Sequence, residues 1–266
     1  MRTRAVTKNK KSKIENQKCL CAIPIAGIPE VRPGDPLPDL ILNAVRTMGF
    51  EFSAGDILVV THKIVSKSEG RLVSLDGVRP RTQAKRWAAE YGYDARVVEL
   101  AFQESARTMR KKNGVLITET RHGWICANSG VDLSNVDGGH SAVLLPADAD
   151  ASARKIFGEL KKKLGFAVPV IITDTFGRPW REGLVEVAIG VAGMKPFRDY
   201  RAQRDRHGYR LRVSLDAVAD ELAGMAGLAC GKLTQQPACI IRGFDYTAGS
   251  GRARQLIRPK EKDLFR

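Results

Sequence analysis

Two short carboxylates, Asp132 and Asp174, are the side chains of this sequence best placed to do chemistry. Each lies where an apolar, strand-like run meets a turn that contains glycine. Hydroxyl and amide groups accompany both, so hard oxygen donors cluster around them: Thr175 beside one, Ser134 and Asn135 beside the other. Such donors suit Mg²⁺ or Mn²⁺ that holds a polyphosphate. We therefore expect Asp132, Asp174 and Thr175 to hold a metal ion beside an anionic substrate.

Two arginines, Arg178 and Arg181, follow closely behind the second carboxylate. Taken singly, Asp132 is better explained as an Asx-turn residue after Gly130, and Asp174 as the cap of a turn or helix. Taken together with the two arginines, the carboxylates favour a catalytic site. We predict that all four charged residues take part in it.

A run of cations and hydroxyls at residues 61–71 follows an apolar segment at residues 55–60. The apolar segment is typical of a buried strand, and open α/β sheets bind anionic ligands in loops at such strand ends. Lys67 is therefore predicted to contact phosphate, although a solvated turn has the same composition. Two rigid turns, at residues 27–29 and 34–36, would let a nucleotide approach the backbone.

A third group of cations is spread over residues 195–212, with Tyr200 and Tyr209 between them. Alternating cationic and aromatic residues bind nucleic acid in some proteins and phosphorylated or polycarboxylate substrates in others. A solvated face has the same composition, so three interpretations stay open. The four histidines show no metal-ligand spacing, and none is assigned a metal.

The familiar nucleotide-binding motifs are absent from the sequence. Residues 227–233 imitate a phosphate-binding loop, but their spacing is wrong and no Ser or Thr follows Lys232. The segment also ends a predicted helix, whereas a phosphate-binding loop begins one. The sequence also lacks the dinucleotide-binding motif Gly-x-Gly-x-x-Gly. It lacks the zinc-protease motif His-Glu-x-x-His and the serine-hydrolase motif Gly-x-Ser-x-Gly as well.

The chain has 266 residues, of which 43% are hydrophobic, and a formal net charge of +15. This is enough to bury a substantial core in one large domain or two interleaved lobes. Residues 1–18 contain seven Lys or Arg against one Glu, with few apolar side chains and no periodicity. They are predicted to form a basic mobile tail before a catalytic domain at residues 19–266.

Several features favour a cytoplasmic protein. The apolar run at residues 19–28 contains Pro24, and no Ala-x-Ala cleavage motif follows it, so a first β-strand is favoured over a signal peptide. No segment approaches the ~20 apolar residues that cross a bilayer. The five cysteines form no Cys-x-x-Cys pair, which fits reduced thiols.

Hydrophobic periodicity predicts a mixed α/β fold rather than a strict βαβ repeat. Helices are expected at residues 36–48, 81–91, 98–112 and 152–166, and after an N-cap at Ser214 with an end at Gly231. Strands are expected at residues 55–60, 115–118, 124–127, 142–145, 168–173, 185–191 and 238–241. Asp174 would then lie just beyond the end of a strand.

Short motifs with a recognisable order extend from about residue 20 to residue 245. They are Gly27-Ile-Pro29, Val65-Ser-Lys67-x-Glu69-Gly-Arg71, Thr120-Arg121-His122-Gly123, Ala127-Asn-Ser-Gly130-Val-Asp132-x-Ser134-Asn135, Thr173-Asp-Thr-Phe-Gly-Arg-Pro-Trp-Arg181, and Gly193-x-x-Pro196 followed by Asp199-Tyr200-Arg201. In these motifs the chain resembles the coenzyme F-420-0:L-glutamate ligases, which add glutamate through γ-linkages to a deazaflavin cofactor precursor. Agreement over so many ordered motifs argues against coincidence.

The resemblance implies a GTP-dependent amide ligase that uses Mg²⁺ or Mn²⁺, and in many members K⁺. It also implies a family-specific γ-glutamyl ligase fold, assembled as an intertwined homodimer and distinct from Rossmann and P-loop units. The substrates would be GTP, L-glutamate and coenzyme F-420-0, with an acyl phosphate as the intermediate. Matching motifs place Asp132, Asp174 and Thr175 on the metal. They place the following residues on GTP: Gly27, Ile28, Pro29, Glu30, His62, Lys63, Lys67, Asn135, Gly231, Lys232 and Gln235.

The last nucleotide loop departs from the family pattern. Relatives often carry an acidic residue there, whereas this chain has Lys232, Gln235 and Gln236. The resemblance therefore supplies no second metal ligand in this loop.

Two alternatives remain open. One is a ligase of the same fold that uses a different acid or amino acid. The other is a basic nucleic-acid-binding module whose carboxylates are structural, but the basic stretch lacks a recognised nucleic-acid motif. Neither nucleic acid nor a membrane is therefore expected as a partner.

Overall fold

The computed structural model describes residues 19–134 and 136–264. Helices and strands follow one another along the chain without a regular repeat. The predicted basic tail at residues 1–18 and the predicted ligand Asn135 lie outside the described residues. The helices are α1 (Leu37–Thr47), α2 (His62–Ser68), α3 (Thr82–Tyr91), α4 (Ala95–Glu104), α5 (Ala149–Leu164) and α6 (Val218–Cys230). The strands are β1 (Cys21–Pro24), β2 (Ile57–Thr61), β3 (Leu72–Ser74), β4 (Ser105–Lys112), β5 (Val115–Thr120), β6 (Ile125–Ala127), β7 (Ser141–Val143), β8 (Val170–Arg178), β9 (Arg181–Ala192), β10 (Arg198–Asp199), β11 (Leu215–Asp216) and β12 (Ala238–Arg242).

A five-stranded sheet in the order β1-β12-β2-β8-β9 forms the centre of the molecule. Strands β2 and β8 are parallel, and every other neighbouring pair in this sheet is antiparallel. A doubly wound nucleotide-binding sheet is mostly parallel. The arrangement confirms a mixed α/β fold that is not of the Rossmann type. Among the described helices, none has the length and apolar character needed to cross a bilayer.

Both faces of the central sheet are covered. Leu58 and Val60 of β2 pack into one core with α1 and α5, whereas Ile57 and Val59 pack into a second core with α6. Successive side chains of a strand point to opposite faces. Because both faces are buried, β2 has an unbroken apolar sequence instead of an alternating one.

A smaller layer consists of α3, α4 and the antiparallel sheet β4-β5-β6, with a core that includes Trp87 and Leu116. The prediction of one helix through residues 98–112 is wrong in its second half, because α4 ends at Glu104 and β4 follows. Strand β4 pairs antiparallel with β5. This tertiary pairing overrides the helical preference of the charged segment.

Two shorter expectations are also wrong. Residues 62–68 form helix α2 rather than a loop after β2. Ser214 is not the N-cap of α6, which begins after Ala217; instead, its carbonyl accepts a 3.0 Å hydrogen bond from Tyr200 N–H. The predicted helix end at Gly231 is confirmed, and its φ of 64° with ψ of −173° belongs to a region open essentially to glycine alone.

Candidate active site

A cavity of ≈ 720 Å³ opens at the carboxyl end of β2 and beside the middle of β8. The two strands are parallel, and Thr61 is the register partner of Thr173. The next residues, His62 and Asp174, therefore emerge side by side at the edge where open α/β sheets bind ligands. The volume lies in the range of small-molecule sites, about 300–1,000 Å³. Other walls include Ile28, Pro29, Glu30, Lys63, Lys67, Leu133, Thr175, Glu186, Gly231, Lys232 and Gln235.

Asp174 lies within β8, so the expectation that the strand ends before it is wrong. The strand continues to Arg178 because its second half pairs with β9 in a long hairpin. Asp174 Oδ1 lies 3.3 Å from His62 Nε2 and accepts a 2.7 Å hydrogen bond from Thr175 N–H. His62 is 1% exposed, and its Nε2 has no hydrogen-bond partner in the described part of the chain. This buried nitrogen still requires a partner, which a ligand in the cavity would supply.

Asp132 is held by both its backbone and its side chain. Its N–H and C=O bond to Val143 at 3.0 and 2.8 Å, which anchors it to β7. Its carboxylate accepts hydrogen bonds from Ser134 N–H at 2.7 Å and Ser134 Oγ at 3.0 Å, and it lies 2.8 Å from Lys63 Nζ. The Asx-turn that was the alternative interpretation is therefore present, together with a cationic partner that lines the cavity.

The ionisation of Asp132 reflects these contacts. Burial alone would raise the pKa of Asp132, but the hydrogen bonds from Lys63 and Ser134 and the charge of Lys63 outweigh it. The pKa lies below its ordinary value as a result. Asp132 is therefore a carboxylate at neutral pH, as a metal ligand must be.

The turn before Asp132 depends on a glycine. Asn128, Ser129 and Gly130 have φ values of 50°, 54° and 71°, three consecutive residues in the left-handed region. A Cβ at Gly130 would approach the Leu145 side chain to 2.7 Å, so no larger residue fits. The geometry of this turn fixes the direction in which the chain reaches Asp132.

Two consecutive residues of α2 contact the two carboxylates, of which Asp174 lines the cavity and Asp132 lies behind Lys63 and Leu133 of its wall. His62 contacts Asp174, and Lys63 contacts Asp132. In residues 19–134 and 136–264, no group of three or more His, Cys, Asp or Glu side chains could hold a metal ion by itself. Mg²⁺ is usually held by one or two carboxylates and completed by phosphate and water. The hard oxygens of Asp132 and Asp174 fit that donor set, and their role as ligands stays a prediction.

A second polar cluster on the cavity wall joins Thr175, Glu186 and Lys232. Thr175 and Glu186 are register partners in the β8–β9 hairpin, and Thr175 Oγ1 donates to Glu186 Oε1 at 2.5 Å. Lys232 Nζ donates to Thr175 Oγ1 at 2.7 Å and lies 3.6 Å from Glu186 Oε1. Sequence reasoning missed Glu186. The available signal was a lone acid among apolar strand residues, but the register that places it opposite Thr175 is not visible in the sequence.

Most residues that the resemblance places on GTP line this one cavity. Residues 28–30 form part of one wall, and residues 231–233 with Gln235 form part of another. Lys67 is 6% exposed and its Nζ lies 2.5 Å from Glu30 Oε1, which ties α2 to the first wall. Gly27, with a φ of 76°, is not itself a lining residue.

The two arginines that were predicted to be catalytic lie outside the cavity. Arg178 and Arg181 are register partners at the tip of the β8–β9 hairpin, and neither lines the cavity. Arg178 Nη2 donates to Glu182 O at 3.1 Å, and Trp180 between them is largely exposed. Within one chain the structure therefore does not bring them to the carboxylates, and their catalytic role stays a prediction.

Comparison with known proteins identifies the family. The family described as F420-0:gamma-glutamyl ligase matches residues 26–243, a stretch that contains every segment lining the cavity. The coenzyme F420:L-glutamate ligase of Methanothermobacter thermautotrophicus is 43% identical over 247 residues, which cover 92% of this chain and 98% of the relative. The protein of the same name from Methanopyrus kandleri is 42% identical over 242 residues, which cover 89% and 94%. The chain therefore belongs to the F420-0:gamma-glutamyl ligase family, as the ordered motifs of its sequence predicted.

Proposed function

We propose that the protein joins L-glutamate to coenzyme F-420-0 through a γ-linkage, in coenzyme F-420 biosynthesis. Relatives that are named coenzyme F420:L-glutamate ligases support this assignment. The observation that carries it is the cavity at the end of β2 and the middle of β8, where lysines paired with carboxylates can receive an anionic ligand. We propose GTP as that ligand.

The chemistry requires an activated acid. A carboxylate and an amine do not condense in water, because the ionised carboxylate is a poor electrophile. Transfer of the γ-phosphoryl group of GTP to the terminal carboxylate of F-420-0 would form an acyl phosphate and release GDP. The amine of glutamate would then attack the acyl carbon, form the amide and release phosphate.

The residues of the cavity suit that transfer mainly by their charge. Phosphoryl transfer depends on positioning and on groups that offset the negative charge of the phosphoryl oxygens. Lys63, Lys67 and Lys232 all line the cavity and would contact the phosphates. A Mg²⁺ or Mn²⁺ ion, held by Asp132 and Asp174, would neutralise further charge on the phosphates. The proposal of an additional K⁺ rests on the family resemblance alone.

The proposal is tested by incubating the purified protein with F-420-0, L-glutamate, GTP and Mn²⁺ and following the product masses. We expect F-420-0 to gain one or more glutamyl residues, with one GDP and one phosphate released for each. Reactions without glutamate, without metal, or with ATP in place of GTP are the controls. GTP consumption only with another acid or amino acid would favour the alternative ligase, and no turnover with any of them would contradict the proposal.

We propose a homodimer on the basis of exposed apolar side chains near the β8–β9 hairpin. Leu228 of α6 is 90% exposed and Leu233 is 91% exposed. Leu184 of β9 is also exposed, and α6 lies against the same strand because Gly227 packs closely on Glu186. Strand β9 is an edge strand, and a partner chain that covers this surface would also protect its unpaired backbone.

Light scattering after size exclusion should give twice the mass of one 29.2 kDa chain. Leu184→Glu and Leu228→Glu should convert the protein to monomers, because each places a charge in the apolar surface. Val115→Glu, at an exposed position of β5, is the control and should leave the mass unchanged. A native protein that elutes as a monomer would count against the dimer.

A further inference from the structure

The cluster of Lys232, Thr175 and Glu186 has a hydrogen-bond arrangement that determines what else can bind there. The Thr175 hydroxyl has one proton, which it donates to Glu186 Oε1. Its oxygen therefore accepts the proton that Lys232 Nζ donates at 2.7 Å. The Lys232 ammonium therefore binds the hydroxyl oxygen of Thr175, which the resemblance assigned to a metal ion.

Three elements hold this cluster in place. The register of the β8–β9 hairpin sets Thr175 opposite Glu186. A Cβ on Gly227 of α6 would approach Glu186 Cγ to 2.4 Å, so the helix can lie against Glu186 only because residue 227 is glycine. Helix α6 then ends at Gly231, whose backbone conformation turns the chain immediately before Lys232. The fold therefore places the backbone of Lys232 within reach of Thr175 and Glu186.

A divalent ion on Thr175 Oγ1 would lie close to the Lys232 ammonium. An ion such as Mg²⁺ lies about 2.0–2.1 Å from its oxygen ligands, and Lys232 Nζ is 2.7 Å from the same oxygen. Two cations on the same oxygen would repel each other, so the ammonium disfavours the divalent ion. Thr175 and Glu186 thus bind each other and a lysine, whereas the Asp174 carboxylate contacts His62 and the Thr175 N–H.

We propose that the Lys232 ammonium is a permanent cation of the cavity. It takes the place of an exchangeable divalent ion on Thr175 and Glu186. Its side chain is 66% exposed, so its remaining protons are open to an anionic ligand. The identity of that ligand as a nucleotide phosphate rests on the proposed function. A lysine interacts with phosphate as a point charge and needs no fixed coordination geometry.

The decisive measurement is the number of Mn²⁺ ions bound per chain, determined by the loss of the free-ion electron paramagnetic resonance signal, with and without GDP. Lys232→Glu should bind one ion more than the native protein, because it removes the ammonium and adds a carboxylate beside Thr175 and Glu186. Equal counts for the two proteins, or a native protein that already fills this position, would overturn the proposal. The difference is informative whether or not the ligation assay succeeds.

Two control variants separate the local effect from a change in overall charge. Lys155→Glu makes the same charge change on the exposed face of α5, away from the cavity, and should bind as many ions as the native protein. Lys232→Arg keeps a cation and should also bind the native number. An extra ion in either control would contradict a specific role for the Lys232 ammonium.

A second measurement remains available if Lys232→Glu does not fold. In EDTA, Lys232→Gln should weaken GDP binding roughly tenfold or more, since it removes a charged donor to phosphate. The same variant should melt at the native temperature in the absence of GDP. GDP affinity that is unchanged in EDTA, for a protein that binds GDP, would overturn the phosphate contact. A native protein that binds no GDP even with Mn²⁺ present would contradict the proposed function instead.

Discussion

Asp174→Asn is expected to reduce glutamate-dependent GTP turnover by about a thousandfold, the effect of losing several kcal/mol of charge stabilisation. Asparagine has nearly the shape of aspartate but lacks the charge that would hold a cation beside His62. Phosphate release and product mass measure the loss. Circular dichroism and thermal melting should match those of the native protein, because the asparagine Oδ1 can still accept the hydrogen bond from Thr175 N–H and lie beside His62.

Asp39→Asn is the matched control. Asp39 lies on α1, where it pairs with Lys163 at 2.8 Å on the protein surface. A surface ion pair contributes little to stability, so this variant should turn over at the native rate. If Asp174→Asn ligated glutamate at a near-native rate, the assignment of Asp174 to a metal ion would be wrong.

Asp150→Ala is expected to lower the free energy of unfolding by about 3–5 kcal/mol, because it leaves buried donors without a partner. Asp150 is 3% exposed, and its Oδ1 accepts hydrogen bonds from Val191 N–H at 2.9 Å and Ala253 N–H at 2.7 Å. Its Oδ2 accepts a third from Arg254 N–H at 3.3 Å. A domain is stable by about 5–15 kcal/mol in total, so urea unfolding should show a large shift of the midpoint.

Asp148→Ala, two residues earlier, provides the comparison. Asp148 is the N-cap of α5 and accepts a 3.0 Å hydrogen bond from Ala151 N–H near the surface. Loss of a cap costs about 1 kcal/mol. Equal losses for the two variants would mean that Asp150 does not join β9 to the segment around residue 253 in the way its hydrogen bonds indicate.

Local sequence signals predicted those parts of the fold that depend on neighbouring residues. The apolar spacing in α1 and α5 and the glycine at the end of α6 are local, and these helices agree with the prediction to within a few residues. The charged segment at residues 105–112 was wrongly assigned to a helix, because its pairing with β5 is a contact between separate segments. Interactions of that kind leave no periodic trace in a single sequence.

In the candidate site, too, the residues recognisable from local sequence were predicted and those defined by contacts between separate segments were not. Asp132 and Asp174 were recognisable because each combines a carboxylate, oxygen-bearing neighbours and a turn. Glu186 was not, since its partner Thr175 is defined only by the register of the β8–β9 hairpin. Arg178 and Arg181 were close to Asp174 in sequence, yet extension along the hairpin carries them to its tip. Proximity along a strand is therefore a poor guide to proximity in a cavity.

The short helix α2 has a consequence for how this site tolerates change. His62 and Lys63 are successive residues of its first turn, and each contacts a different carboxylate. The contacts to both acids therefore come from a single helical step rather than from two independent loops. An insertion or a proline in that step would displace His62 and Lys63 together, so a single change in this turn would disturb the surroundings of both acids.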